Sequence, residues 1–233
     1  MKMLTVSGPP SCGKTSVILR LTALLRERGL SAGVVKFDCL TSGDQKLFQE
    51  NGIPSVLGIA GSVCPDHYYI CNISACVDWG KRKGFDVLLC ESAGLCHRCA
   101  PHIRDVPAAC VIDCLAGLET PRKLGPILRG ADAVMITKGD LVSQAEREVF
   151  AYRLRQENPL ASIMLVNGMT GHGCEPMVRL LLASQDVDSL TDHFLRFPMP
   201  AAHCSYCVGQ TRIGEQYQVG LQKPMEFDDA CSE

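Results

Sequence analysis

Nine consecutive residues, Ser7-Gly8-Pro9-Pro10-Ser11-Cys12-Gly13-Lys14-Thr15, constrain what this chain can fold into more than any other stretch. They satisfy the phosphate-binding pattern G-x-x-x-x-G-K-[ST] at every specified position. Glycines let successive backbone N–H groups turn inward around an anion, and a helix that follows directs its positive N-terminus at the same charge. The context fits, because Lys2–Ser7 has the apolar character of a short strand and Lys14–Arg28 the pattern of an amphipathic helix. Gly8, Ser11, Cys12, Gly13, Lys14, Thr15 and Ser16 are therefore the candidate phosphate cradle. Lys14 is placed to reach the β- and γ-phosphates, and Thr15 to offer a hydroxyl to Mg²⁺, a cation that keeps most of its water and takes few protein ligands.

A strand–loop–helix unit of this kind belongs to an α/β fold, and the rest of the chain keeps the same rhythm. Apolar strand-like runs at Ser31–Phe37, Ile53–Ile59, Phe85–Cys90, Ala108–Ile112, Ala133–Ile136 and Ile163–Val166 alternate with helical stretches at about 41–51, 71–83, 121–128, 142–156 and 175–184. The residues Ala60–His67 have the polar and glycine content of a loop. The expected fold is a P-loop NTPase: a mostly parallel central sheet with helices on both faces, joined by right-handed crossovers. Polar residues that follow the strands then gather on one edge of the sheet, where such folds bind ligands. The rhythm stops near Gln185, so residues 1–184 are expected to form the nucleotide-binding domain and 185–233 a short C-terminal appendage containing cysteine.

A chain of 233 residues, 46% of them hydrophobic, has enough apolar material for one large domain. The formal net charge of -2 gives no footprint for nucleic acid or an anionic membrane as partner. No apolar run is long enough to span a bilayer, and the chain enters its first strand without the pattern of a signal peptide, so a cytoplasmic protein is expected. Cysteine is the anomaly, at 14 residues. Thiols stay reduced in that compartment, which favours metal or cluster ligation over disulfides. Cys90, Cys110 and Cys114 lie in or beside apolar runs and are assigned to packing.

Thr137-Lys138-Gly139-Asp140 follows a strand late in the chain, where a nucleotide-binding fold presents its base-recognition loop. Guanine shows two adjacent donors, N1–H and the N2 amine, and a carboxylate accepts both at once, so Asp140 points to GTP over ATP. Asn167-Gly168-Met169-Thr170-Gly171, after the last strand, is in position to complete that pocket.

The order of these motifs resembles the metallochaperone GTPases of urease and hydrogenase maturation, of the SIMIBI class, together with the cobalamin-associated GTPases. The resemblance runs from about Met3 to Leu182. Val34-Val35-Lys36-Phe37-Asp38, with Thr41 and Asp44, is similar to the switch segment of the urease member, and Glu91-Ser92-Ala93-Gly94 to the family's E-x-x-G switch. Asp38 would hold Mg²⁺ and orient the attacking water, while Glu91 and the Gly94 backbone would sense the γ-phosphate. Lys14, Asp38 and Glu91 are thereby the candidate catalytic residues, Thr15 and Asp38 the Mg²⁺ ligands, and Lys138, Asp140 and Asn167 the base contacts. The resemblance also implies a homodimer, slow intrinsic hydrolysis, and a target metalloenzyme or its maturation factors as partners.

Family members carry Cys-Pro-His or Cys-His ahead of the switch glutamate's strand. Here the corresponding loop runs Cys64-Pro65-Asp66-His67, with one residue inserted before the histidine. Thiolate and imidazole suit Ni²⁺, Zn²⁺ or Co²⁺. Two further units, Cys96-His97-Arg98-Cys99 and Cys204-Ser205-Tyr206-Cys207, are not part of the resemblance. Together they supply four thiolates, enough for a tetrahedral zinc site or a [4Fe–4S] cluster if the appendage folds back over the switch, and His97, His102 and His203 offer imidazole nearby. Two activities are thus expected to compete: a GTP-hydrolysing carrier that delivers a metal ion or cluster, and an iron–sulfur switch in which nucleotide gates regulation or electron donation. A nucleotide-binding module with a degenerate site is disfavoured by the intact Lys14, Thr15 and Asp140.

Overall fold

Parallel strands buried on both faces need near-continuous apolar runs, and seven segments of this chain supply them. The computed structural model describes residues 1–40, 43–93, 102–197, 210–217 and 223–227. Its elements in chain order are β1 (Lys2–Ser7), α1 (Lys14–Glu27), β2 (Ala32–Asp38), α2 (Asp44–Glu50), β3 (Ser55–Ile59), α3 (Pro65–Arg82) and β4 (Val87–Glu91), followed by β5 (Ala108–Asp113). Two single-turn helices, α4 (Thr120–Lys123) and α5 (Pro126–Arg129), precede β6 (Ala133–Thr137), α6 (Gln144–Glu157), β7 (Ser162–Leu165) and α7 (Glu175–Ala183).

The sheet order is β3-β2-β4-β1-β5-β6-β7, and every pairing is parallel. The chain builds to one side of β1 as far as β4 and to the other side from β5 onward. The carboxyl end of β1 therefore faces the crevice where open α/β sheets bind ligands. Successive side chains of each strand point to opposite faces. On one face Leu4, Val6, Val34, Leu89, Val111 and Met135 pack against Val17, Ile18 and Leu21 of α1 and Met177 and Leu181 of α7. On the other, Met3, Val35, Phe37, Leu88 and Cys90 meet Tyr69, Ile73 and Val77 of α3, while Cys110, Ile112, Val134 and Ile136 meet Ile127 of α5 and Phe150 and Leu154 of α6.

Several boundaries differ from the sequence expectation for local reasons. Helix α3 starts at Pro65, not near residue 71, because proline at the first helical position brings a preset φ and lacks only an N–H that has no partner there anyway. The last part of the expected loop at 60–67 is therefore helical: Cys64 is the N-cap and His67 lies in the first turn. The helical connection at 121–128 is broken by Gly125 at φ +55, giving α4 and α5 instead of one helix. Helix α6 begins at Gln144 because Ser143 and Glu146 close a capping box.

Described residues beyond 184 lie on the domain. The Val187 amide donates to the Met1 carbonyl at 2.8 Å, and Leu190, Leu195 and Ile213 join the core over α3. Arg196 forks onto Asp132 with N–O distances of 2.8 and 2.7 Å. Met225 packs against Cys76 and Gly58.

Candidate nucleotide site

The phosphate loop is built by glycine. Gly8 stands at φ +145, and a Cβ there would lie 2.0 Å from the Val111 carbonyl oxygen, so only glycine lets the chain leave β1 this close to β5. Gly13, at φ +96, is the N-cap of α1. Lys14 folds back along the loop, its ammonium donating to the Gly8 and Pro9 carbonyls at 3.1 and 3.0 Å. Cys12 is buried beneath the loop, and burial pushes its thiol up to about 11, so it packs as a neutral group.

A cavity of about 380 Å³ opens in front of this loop, lined by Ser11, Gly13, Lys14, Thr15 and Ser16 on one side and by Lys36, Asp38, Asp44 and Glu91 on the other. Asp38 and Glu91 close β2 and β4, and Asp44 begins α2. The Thr15 hydroxyl lies 3.2 Å from Glu91 Oε2 and 3.4 Å from Asp44 Oδ2. Asp38 Oδ1 accepts from the Cys39 amide at 2.7 Å while the residue borders the cavity. The Thr15 hydroxyl with the Asp44 and Glu91 carboxylates, and Asp38 bordering the same cavity, are oxygen donors of the kind a small, hard divalent cation such as Mg²⁺ takes alongside its water, so their chemistry fits that cation.

Sequence reasoning passed over Lys36. Its ammonium sits within this oxygen set, 2.6 Å from Asp44 Oδ2, 2.8 Å from Glu91 Oε1 and 3.3 Å from Thr15 Oγ1. Burial would pull its pKa down, but the Glu91 and Asp44 carboxylates outweigh that and raise it, so the amine is charged. The parallel register pairs Lys36 directly with Glu91, which accounts for a lysine inside an apolar strand. That lysine in Val-Val-Lys-Phe was the available signal.

A second cavity, about 350 Å³, is lined by Thr137, Lys138, Asp140, Leu141, Asn167 and Met169, and shares Gly13 and Ser16 with the first. The Thr137 hydroxyl donates to the Cys12 carbonyl at 2.6 Å, and Lys138 reaches the Ser11 carbonyl at 2.9 Å, which ties the candidate base loop to the phosphate loop. Lys138 also pairs with Asp113 Oδ2 at 3.0 Å. Asp113, a carboxylate closing β5, was likewise missed. Asn167 spends its side-chain oxygen on its own turn, accepting from the Met169 and Thr170 amides at 2.8 and 3.0 Å. It shapes the wall of this cavity through that turn.

The metal candidates divide. Cys64 caps α3 and is half-buried, and His67 is buried one turn on, with its Nε2 3.3 Å from Cys71 Sγ. Among the described residues no group of three or more His, Cys, Asp or Glu side chains is arranged to hold a metal ion. Thr41, Gly94, Cys96, Cys99, Cys204 and Cys207, with His97 and His203, lie outside the described residues. His102 is not an exposed imidazole: it is fully buried behind β1, between Thr5 Oγ1, Ser7 Oγ and the Ile127 carbonyl at 3.1, 3.1 and 3.2 Å. Cys90 and Cys110 are buried within the sheet, as their apolar surroundings implied, whereas Cys114 is only half-buried.

Residues 2–165 match the profile of the CobW/HypB/UreG nucleotide-binding domain, about two thirds of the chain. The chain belongs to that family. An uncharacterized protein of Methanocaldococcus jannaschii is 45% identical over 226 residues, covering 97% of both chains. The urease accessory protein UreG of Photorhabdus laumondii is 32% identical over 203 residues, with 78% of this chain and 94% of the relative covered. The same fold occurs in the crystal structure of HypB from Helicobacter pylori in complex with nickel, with a TM-score of 0.62 at 20% identity over 81% of this chain and 91% of that one. A family of P-loop nucleotide-binding domains is thus the setting of both cavities. Among the described residues no helix is long and apolar enough to cross a membrane.

Proposed function

We propose that this CobW/HypB/UreG-family protein binds Mg²⁺·GTP and couples its hydrolysis to delivery of a metal ion or metallocluster to a target metalloenzyme or its maturation factors, acting as a homodimer. The observation that carries the reading is that Gly13 and Ser16 border both cavities, so one loop can hold a phosphate chain on one side and a base on the other. Lys14 would leave the Gly8 and Pro9 carbonyls for the β- and γ-phosphates, exchanging neutral acceptors for charged ones. Thr15, Asp38, Asp44 and Glu91 would hold Mg²⁺, directly or through its water, and the cation supplies charge neutralisation at the phosphates. Asp140 would accept both guanine donors, with Lys138 holding the loop against Ser11 and Asp113.

Hydrolysis needs positioning and charge stabilisation here, with no covalent intermediate on the protein. Asp38 and Glu91 stand at the ends of neighbouring strands and would orient the attacking water and register loss of the γ-phosphate. Glu91 leads within five residues to Cys96, so reordering of the switch would move that thiol with it. The cargo would bind at thiolate and imidazole drawn from Cys64, His67, Cys96, Cys99, Cys204 and Cys207, donors suited to Ni²⁺, Zn²⁺, Co²⁺ or a [4Fe–4S] cluster. Support for a metal cargo comes from the relatives, one named a urease accessory protein and one solved with nickel.

Metal and sulfide analysis of anaerobically purified protein, wild type against the C96A/C99A double variant, tests this reading. Loss of at least half the bound metal or iron, with guanine nucleotide binding retained, is expected. Full metal retention in the variant would remove Cys96 and Cys99 from the carrier site.

A further inference from the structure

An ammonium group has three N–H donors and no acceptor. In this molecule the three donors of Lys36 have three oxygen partners on three separate elements: Thr15 on α1, Asp44 on α2 and Glu91 on β4. These are oxygens from the set that suits a divalent cation, and the Lys36 ammonium lies within 3.3 Å of all three. The lysine is only 7% exposed, so its charge is held there by the fold and is not a rotamer sampled on a surface. Asp44 and Glu91 give the cluster two negative charges, and Lys36 already cancels one of them.

We propose that Lys36 is a tethered cation that competes with the divalent metal for the Thr15, Asp44 and Glu91 oxygens, so that metal binding requires the lysine to swing out of the cluster. The inference deepens the Mg²⁺ assignment made above and rests on it. Two consequences follow from the geometry. The nucleotide-free protein has low affinity for divalent metal, because each metal ion must displace a buried charge that is already paired. The metal, held by the same Asp44 and Glu91 carboxylates, would then take over from Lys36 the bridge between the start of α2 and the end of β4. Lys36 acts through position and charge, and touches no reacting atom in this arrangement.

Manganese alone is the probe, because Mn²⁺ shares the hard, oxygen-preferring chemistry of Mg²⁺ and is read directly by electron paramagnetic resonance. In nucleotide-free protein, K36M keeps the length and apolar stem of the side chain and removes the charge. Its Mn²⁺ affinity is expected to rise by about tenfold or more over wild type. An unchanged or weaker affinity in K36M would overturn the proposal. A measurement on the unaltered protein covers the case in which K36M does not fold. Acylation of Lys36 by a water-soluble amine reagent, followed by mass spectrometry, is expected to increase several-fold at saturating Mn²⁺, and labelling that Mn²⁺ leaves unchanged would overturn it. Titration of both proteins with GTP separates the two readings. Absence of GTP binding alongside the Mn²⁺ shift would count against the nucleotide assignment alone, whereas normal GTP binding without the shift would count against Lys36 alone.

Discussion

Asp140 is an exposed carboxylate on a short turn, and its value to a ligand lies in accepting two hydrogen bonds at once. Replacing it by asparagine keeps one acceptor and converts the other into a donor that faces the guanine N2 amine. Hydrogen bonds to charged groups contribute about 1.5–3 kcal/mol, so D140N is expected to weaken GTP binding by about 10- to 100-fold. Xanthine carries an oxygen where guanine has that amine, and XTP affinity should rise in the same variant. Calorimetric titration of wild type and D140N with both nucleotides checks this; a GTP affinity that survives the substitution would show that Asp140 does not touch the base. The residues of the phosphate loop were legible in the sequence because their geometry is local, set by glycines and the helix that follows. Lys36 and Asp113 were not, because their partners Glu91 and Lys138 lie 55 and 25 residues away and meet them only through the strand pairing of β2 with β4 and β5 with β6.

At the scale of elements, His102 fastens the segment before β5 to the back of β1. The Ile127 carbonyl can only accept, so Nε2 carries the proton and Nδ1 is left to accept from the Thr5 hydroxyl. Burial, with Arg196 nearby, lowers the His102 pKa from 6.5 to about 4. The unfolded chain then takes up a proton that the folded one refuses, and stability falls as pH drops from about 6.5 toward 4, by up to about 3 kcal/mol. Thermal melts across that range should show the loss, and H102Q, less stable at neutral pH, should show a flatter profile; an equal slope in both would assign the acid sensitivity to other groups. Elements were well read from periodicity where they are strands. The start of α3 was misplaced because Cys64-Pro65-Asp66-His67 has loop-like composition, while proline at a helix's first position is itself a start signal.

Across the whole molecule, the sheet brings its chemistry to one edge: Asp38, Glu91, Asp113 and Thr137 are all the last residues of their strands. That edge followed from the alternation of strands and helices alone, as did the parallel sheet. The contact set around Lys36 did not, since the ion cluster depends on four elements, β2, α1, α2 and β4, closing together. Glu91 and His102 anchor the two ends of the chain that carries Cys96 and Cys99, one in the nucleotide cavity and one behind β1. The proposed function has a change at the Glu91 end reach the thiols of Cys96 and Cys99, which follow a few residues on in sequence. Linkage makes the effect reciprocal: whatever nucleotide does to metal affinity, metal does to nucleotide affinity. The most direct measurement is the Ni²⁺ or Zn²⁺ affinity of the full chain saturated with GDP and with a non-hydrolysable GTP analogue. A nucleotide-driven metal carrier requires the two affinities to differ by about fivefold or more, and equal affinities would contradict it.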